Sequence, residues 1–136
     1  ALAALGSADI GQAVVVADRR VLAVEAAEGT DATVRRVALL RRGGMVGRLL
    51  RRGRPPVAER GGGVLVKGAK PGQDMRVDLP VVGPRTIRQA RRAGLAGLAL
   101  EVGRVLIVER ERTIAAAEAA GIFIIGQDPK IEGRGG

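Results

Sequence analysis

Neither cysteine nor histidine occurs in this 136-residue sequence. Disulfides, thiolate ligands, histidine-ligated metals and histidine-based catalytic triads are therefore excluded. Any metal would have to be a hard cation held by carboxylates, phosphates and water. Tryptophan and tyrosine are also absent, and Phe123 is the only aromatic residue. Because single-stranded nucleic acid is bound largely by stacking of bases on aromatic side chains, we do not expect nucleic acid to be the partner.

Long apolar runs are missing as well. No run of about 20 apolar residues is present, so we expect no segment that spans a bilayer. The beginning, "ALAALGSADIGQAVVV", lacks the basic segment of a secretory signal. The sequence therefore predicts a cytoplasmic protein.

Positive charge is abundant: the net charge is +9, and it comes almost wholly from arginine. Such an excess favours an anionic partner, for example nucleotide phosphates or an anionic membrane face. A GC-rich coding sequence, which favours arginine, alanine and glycine, is the alternative source of the excess. The length is that of one domain. We assign it to residues 9–127, with 1–8 as a linker remnant and 128–136, ending in "KIEGRGG", as a tail or added linker.

Helical segments alternate with short apolar strands. "AVVVADRRVLAVEA" predicts a β-hairpin, and the segment Asp31–Arg42 predicts a helix with Thr30 as its N-cap. Strands follow at "GVLVK", "LAGLALE", "RVLIVE" and "IFII", with helices over Thr86–Ala93 and Glu111–Ala120. The joints "RRAGLAGLALE" and "AEAAGIFIIG" are alike and indicate a shared αβ unit. The sequence thus predicts a single α/β domain, a mixed β-sheet with helices packed against it.

The first polar cluster is "EAAEGTDATVRR", in which Glu25, Glu28 and Asp31 run from a strand end into a helix start, with Gly29 and Thr30 at the junction. Free backbone N–H groups at a helix start can bind phosphate. A capped, salt-bridged helix start is the alternative interpretation.

The second cluster is "GVLVKGAKPGQDMRVDLPVVGP". Lys67 and Lys70 are the only lysines before the tail, and both flank its Pro-Gly turn. Lysine offers a compact, mobile charge to a phosphate. Carboxylates beside such a lysine suit a divalent metal or a base that activates water, and Asp74 and Asp78 follow, with Gln73 and Arg76 between or beside them. A solvated turn is the alternative.

The third cluster consists of arginines. Arg88, Arg91 and Arg92 fall on the exposed side of a short predicted helix, and "RLLRRGR" lies in a long basic loop before it. A solvated charged face and attraction to an anionic membrane are both consistent with this pattern.

The blocks "DIGQAVVV", "VLAVEAAEGTDATVRR", "GGVLVKGAKPGQDMRVDLPVVGPRTI", "AGLAGLALEVGRVLIVER" and "AAGIFIIG" resemble the C-terminal domain of the UDP-2,3-diacylglucosamine pyrophosphatase family of lipid A biosynthesis. This is the branch unrelated to calcineurin-like phosphoesterases. The resemblance covers about Asp9 to Gly126, and "EGTD" and "KPGQD" are its specific blocks.

The resemblance implies a hydrolase that cleaves the pyrophosphate of UDP-2,3-diacylglucosamine to UMP and 2,3-diacylglucosamine 1-phosphate, with Mg²⁺ or another hard divalent cation. It implies Asp74 and then Asp31 as catalytic carboxylates, and Asp74 with Asp78 as metal ligands. It implies substrate binding by Lys67, Lys70, Gln73, Arg76, Gly29, Thr30 and Glu28.

Family members carry an N-terminal domain that this sequence lacks, so we expect an incomplete site and weak activity alone. The "RRGGMVGRLLRRGRPPVAERGGG" stretch is longer and more basic than the family pattern. The lipid-linked UDP-sugar implies a place at the cytoplasmic face of the inner membrane. Exposed hairpin edges would allow two copies to pair as a homodimer. The alternatives from other classes are a non-catalytic basic module that binds RNA or an anionic membrane surface, and an inactive α/β scaffold.

Overall fold

The computed structural model describes residues 12–41, 62–69 and 79–128. Seven strands and three helices occur in these ranges. In chain order they are β1 (Ala13–Ala17), β2 (Arg20–Val24), α1 (Thr30–Arg41), β3 (Val64–Lys67), β4 (Val81–Val82), α2 (Pro84–Arg92), β5 (Gly97–Glu101), β6 (Leu106–Ile107), α3 (Arg110–Ala120) and β7 (Phe123–Gln127).

Five strands form the main sheet, in the order β2-β1-β3-β5-β7. β1 runs antiparallel to both β2 and β3, whereas β3, β5 and β7 are mutually parallel. The predicted mixed α/β sheet is confirmed. The predicted "RVLIVE" strand is only partly confirmed, because β6 has two residues and pairs in parallel with β4 in a separate small sheet.

The predicted hairpin is formed by β1 and β2. Asp18 and Arg19 connect the two strands, with φ of +50° and +61°. Positive φ at both central residues is typical of a type I′ turn, whose twist matches that of the flanking strands. The β-branched residues of "AVVVA" then extend the pairing into the sheet.

The two similar αβ joints take equivalent positions. α2 is followed by Gly94 at φ +72°, α3 ends at Gly121 at φ +67°, and each glycine leads into a parallel strand. Leu98 of β5 then faces Ile124 of β7 in register. The shared αβ unit inferred from the sequence is confirmed.

The three helices pack on the main sheet, and the hydrophobic core lies between the helices and the sheet. Leu65, Leu98 and Val15 of the sheet are fully buried against apolar residues of α1 and α2, including Val37 and Ile87. None of the described helices is both long and apolar enough to cross a membrane.

Arg41 joins the end of α1 to the end of α2. Its Nη1 donates to the carbonyl oxygens of Ala93 at 2.8 Å and Gly94 at 3.1 Å, and its Nη2 donates to that of Gly62 at 2.5 Å. Burial lowers the pKa of Arg41, and a Coulombic contribution from Asp18 opposes this. At the end of α2, the Arg41 guanidinium supplies donors to the carbonyls of Ala93 and Gly94, because a helix end leaves its last carbonyls without intrahelical partners.

All three helices begin at one edge of the main sheet. β3, β5 and β7 are parallel and each follows a helix, so the helix starts lie at the carboxyl ends of these strands. The antiparallel pairing of Ala13 with Lys67 and of Val14 with Val24 brings the end of β2 to the same edge. Ligands of open α/β sheets bind at such an edge.

Candidate functional site at the carboxyl edge

Lys67, the last residue of β3, lies inside this edge rather than on its surface. Only 7% of the residue is exposed, and it shares the buried side of the strand with Leu65. Its Nζ donates to Thr30 Oγ1 at 3.1 Å and to the carbonyl oxygen of Val81 at 2.9 Å. An ammonium group has three donors, so these contacts leave one N–H without a partner in the described part of the chain.

A chain of hydrogen bonds connects Lys67 with Glu25. The Thr30 hydroxyl accepts from Lys67 and donates to Glu25 Oε2 at 3.1 Å. Glu25 directly follows β2, and Thr30 is the first residue of α1. Thr30 was predicted as an N-cap; its side chain instead bridges these two charged groups.

Burial lowers the pKa of Lys67, because it removes water from the ammonium group. Glu25 and Asp31 act in the opposite direction, since their negative charges favour the protonated form. Lys67 is therefore a cation with two carboxylates nearby and a weakened hold on its proton. Such a perturbed group at the ligand-binding edge of an α/β sheet is a candidate functional residue.

Asp31 connects this lysine to a neighbouring cleft. Its Oδ2 lies 2.8 Å from Nε of Arg85, the second residue of α2. Both residues line a cleft of 370 Å³, whose other walls include Val81 and Glu109. The Val81 carbonyl accepts from Lys67, so Val81 contacts the buried ammonium and also lines the cleft.

Two of the predicted site residues have other contacts. Glu28 pairs with Arg36 at 2.9 Å, and Arg36 also donates to the carbonyl of Val24. Gly29, at φ +84°, donates its N–H to the carbonyl of Ala26 at 3.4 Å. The structure thus brings Lys67, Thr30 and Asp31 together and places Glu28 in a separate ion pair.

The remaining predicted residues, Lys70, Gln73, Asp74, Arg76 and Asp78, lie outside the described residues. The described positions on both sides of them are at the carboxyl edge. The N–H of Ala69 donates to Glu101 Oε2 at 3.0 Å, and the carbonyl of Pro80 accepts from the N–H of Leu106 at 2.8 Å. The described residues on either side of this stretch therefore lie at the same edge as Lys67.

The described ranges contain no group of three or more acidic side chains that could bind a metal ion. Three carboxylates near Lys67 have other partners: Glu25 accepts from a hydroxyl, and Glu28 and Asp31 each pair with an arginine.

Glu25 and Arg85 were not predicted as site residues. A signal existed for Arg85: it stands in the first turn of α2, which has no acidic residue to balance the positive end of the helix dipole. Glu25 belongs to the first polar cluster of the sequence, but its partner Thr30 is found only in the folded structure.

The fold and this edge define a small mixed-sheet α/β domain with a buried lysine beside the start of a helix. The sequence matches the family model described as "LpxI C-terminal domain" over residues 1–125. The chain belongs to this family. It is 53% identical over 126 residues to UDP-2,3-diacylglucosamine pyrophosphatase LpxI of Caulobacter vibrioides, with 93% of the chain and 41% of that relative covered.

Proposed function

We propose that this domain carries the phosphate-binding part of the active site of a UDP-2,3-diacylglucosamine diphosphatase. A water oxygen would bond to one phosphorus of the diphosphate, and the bond from that phosphorus to the bridging oxygen would break. The products would be UMP and 2,3-diacylglucosamine 1-phosphate. The observation that carries the proposal is the buried Lys67 ammonium beside the start of α1, in a chain 53% identical to a relative named for this pyrophosphatase.

Lys67 would stabilise the leaving phosphate. Two of its N–H groups are fixed by Thr30 and Val81, so the third has a defined direction. Donors fixed before the reaction stabilise developing negative charge without reorganisation. Glu25 would act through Thr30 as a positioning residue, because its carboxylate accepts a hydrogen bond from the hydroxyl that in turn accepts one from Lys67.

Asp74 is our first candidate for the acid/base group and Asp31 the second. Lys70, Gln73 and Arg76 would bind phosphate or sugar beside them, and the first turn of α1, with Thr30, would add backbone donors. Mg²⁺, if used, would be held by Asp74 and Asp78, whereas Glu25, Glu28 and Asp31 have other partners. When bound, it would neutralise phosphate charge.

A second domain would complete this site. The chain spans 41% of the length of the curated relative it matches. We expect the isolated domain to bind the phosphate product more readily than it hydrolyses substrate. The lipid substrate would bring it to the cytoplasmic face of the inner membrane.

The test of this function is UMP release by a chimera in which this chain replaces the matching segment of the Caulobacter relative. We expect activity in the chimera, and a loss of at least about a hundredfold in Asp74→Asn and Lys67→Met. Glu118→Gln and Lys130→Ala are matched controls; Glu118 is exposed on α3, and Lys130 lies in the predicted tail. An active Asp74→Asn, Lys67→Met double variant would overturn the proposal. With the active chimera, hydrolysis in ¹⁸O-water identifies the attacked phosphorus, because the product that contains this phosphorus carries the label.

Binding to the chain alone provides a second readout. Calorimetry with 2,3-diacylglucosamine 1-phosphate in detergent, with and without Mg²⁺, should give binding that Lys67→Met weakens and Lys130→Ala does not. Binding that is lost only without Mg²⁺ would support the proposed metal role. Binding indifferent to Lys67 would argue against the proposed position of the phosphate.

An anionic membrane surface is the second candidate partner, and one observation favours it. Arg91 and Arg92 are exposed at the end of α2. If membrane binding were the whole function, the domain would sediment with anionic vesicles in a strongly salt-dependent way. The aspartate variants would then have no effect in any assay.

A further inference from the structure

The cleft next to Lys67 has a composition that points to a ligand. It has a volume of 370 Å³ and is lined by residues at or near the starts of α1, α2 and α3. This volume is at the lower end of the range of about 300–1,000 Å³ found for small-molecule sites. Three arginines and two carboxylates line it, so its side chains carry excess positive charge: Arg85, Arg88 and Arg112 against Asp31 and Glu109.

The start of α2 contradicts the usual placement of charge on a helix. Pro84 begins the helix, no acidic residue occupies its first turn, and Arg85 follows at once. A cation there is repelled by the positive end of the helix dipole. Asp31 of α1 compensates the charge of Arg85, but no carboxylate is paired with Arg88 in the described ranges, and a local rule broken in this way is often found at functional sites.

The three arginines differ in their partners. Arg85 is held by Asp31 and Arg112 by Glu109, so both are oriented by carboxylates of the cleft itself. Arg88 is exposed and has no ion pair or side-chain hydrogen bond within the described ranges. A planar guanidinium without a partner can bind a phosphate through two parallel hydrogen bonds.

We propose that this cleft is a phosphate-binding subsite, with Arg88 as its main ligand and Arg85 as a second, oriented by Asp31. The identity of the phosphate rests on the proposed function: it would be one of the two phosphates of the lipid-linked UDP-sugar. Val81 lines this cleft, and its carbonyl accepts from Lys67. The two phosphates of one diphosphate would thus meet two separate cationic groups, one buried and one exposed.

The probe is inorganic pyrophosphate, titrated by calorimetry into the parent chain, Arg88→Gln and Arg91→Gln. Arg91 is the matched control because it is exposed on the same helix and does not line the cleft. We expect Arg88→Gln to weaken binding about tenfold or more, the loss of one charge-assisted contact, and Arg91→Gln to leave it unchanged. Equal losses in the two variants, or no binding by the parent, would overturn the subsite.

Two further titrations identify which end of the substrate the cleft takes. UMP binding that depends on Arg88 would assign it to the nucleotide phosphate, and 2,3-diacylglucosamine 1-phosphate binding that depends on Arg88 would assign it to the sugar phosphate. Binding to anionic vesicles that requires Arg88, with no dependence for the three phosphate compounds, would overturn the proposal.

The two proposals can fail separately. A chimera that releases UMP equally well with Arg88→Gln would leave the proposed function and remove this subsite. A chimera without hydrolysis, in a protein whose pyrophosphate binding still depends on Arg88, would remove the proposed function and leave the subsite.

Discussion

Replacing Lys67 by methionine removes the buried ammonium and keeps most of its apolar stem. The Val81 carbonyl and the Thr30 hydroxyl lose a charged donor, and a lost bond of this kind costs about 1–3 kcal/mol. The variant also no longer buries a charge, which by itself favours folding. Because these effects oppose each other, we expect a net loss of about 1–3 kcal/mol of unfolding free energy at pH 7. Lys67→Ala should cost about 2 kcal/mol more, since it also removes buried stem atoms.

The pH dependence of the unfolding free energy separates the effect of the Lys67 charge from the effect of its packing. Burial lowers the pKa of Lys67 below its ordinary value of 10.5. Between that lowered pKa and 10.5, the unfolded chain binds more protons than the folded chain, so the stability of the parent rises with pH. Methionine does not titrate. The stability advantage of the parent over Lys67→Met should therefore be smallest below the folded pKa, widen through this window and become constant above 10.5.

Urea unfolding between pH 7 and pH 11, followed by circular dichroism, measures this difference. Tryptophan is absent, so fluorescence is no substitute, but the absence of cysteine and tyrosine also removes the other side chains that titrate in this range. Lys70 and Lys130 are common to both proteins and cancel in the comparison. An advantage that narrows as pH rises would refute the reasoning, because it would mean that Glu25 and Asp31 outweigh desolvation of the ammonium.

Three further substitutions test single contacts by urea unfolding. Thr30→Val should lower the free energy of unfolding by about 1–2 kcal/mol, because Lys67 and Glu25 lose the hydroxyl between them. Thr30→Ser keeps the hydroxyl and should retain most of the stability. Equal losses in the two variants would contradict this role of the hydroxyl. Arg41→Lys should lower the free energy of unfolding by about 2 kcal/mol, since an ammonium cannot reproduce the planar guanidinium that donates to three carbonyls. An unchanged free energy of unfolding would show that these hydrogen bonds contribute nothing. Gly63→Ala should cost about 2 kcal/mol, because the glycine has φ +96° and a Cβ would lie 2.8 Å from that of Ala17; an unchanged midpoint would mean that the backbone relaxes there.

The regular elements were predictable because their signals are local. The β-branched runs of the hairpin, Pro84 at the start of α2 and Gly121 at the end of α3 each act within one turn or one strand pair. The pairing of β4 with β6 was not predictable in this way. Two-residue strands are too short to show a period, and the partner of each lies far along the chain.

The burial of Lys67 could have been inferred from alternation. In a strand, residues two apart lie on the same face, so a core residue at Leu65 places Lys67 on the core side as well. Its partners could not have been inferred. Thr30 is 37 positions away and becomes a neighbour only because α1 begins at the edge where β3 ends.

The arrangement of the edge also explains why lysine rather than arginine stands at position 67 in a chain so rich in arginine. The space there is bounded by a hydroxyl and a backbone carbonyl, and both accept from a single nitrogen. A compact ammonium can serve both acceptors and keep a third donor, whereas a guanidinium is larger and spreads its donors across a plane. In the cleft that Val81 also lines, the cations are exposed arginines. The different surroundings of the two kinds of cation agree with the separate roles proposed for them above.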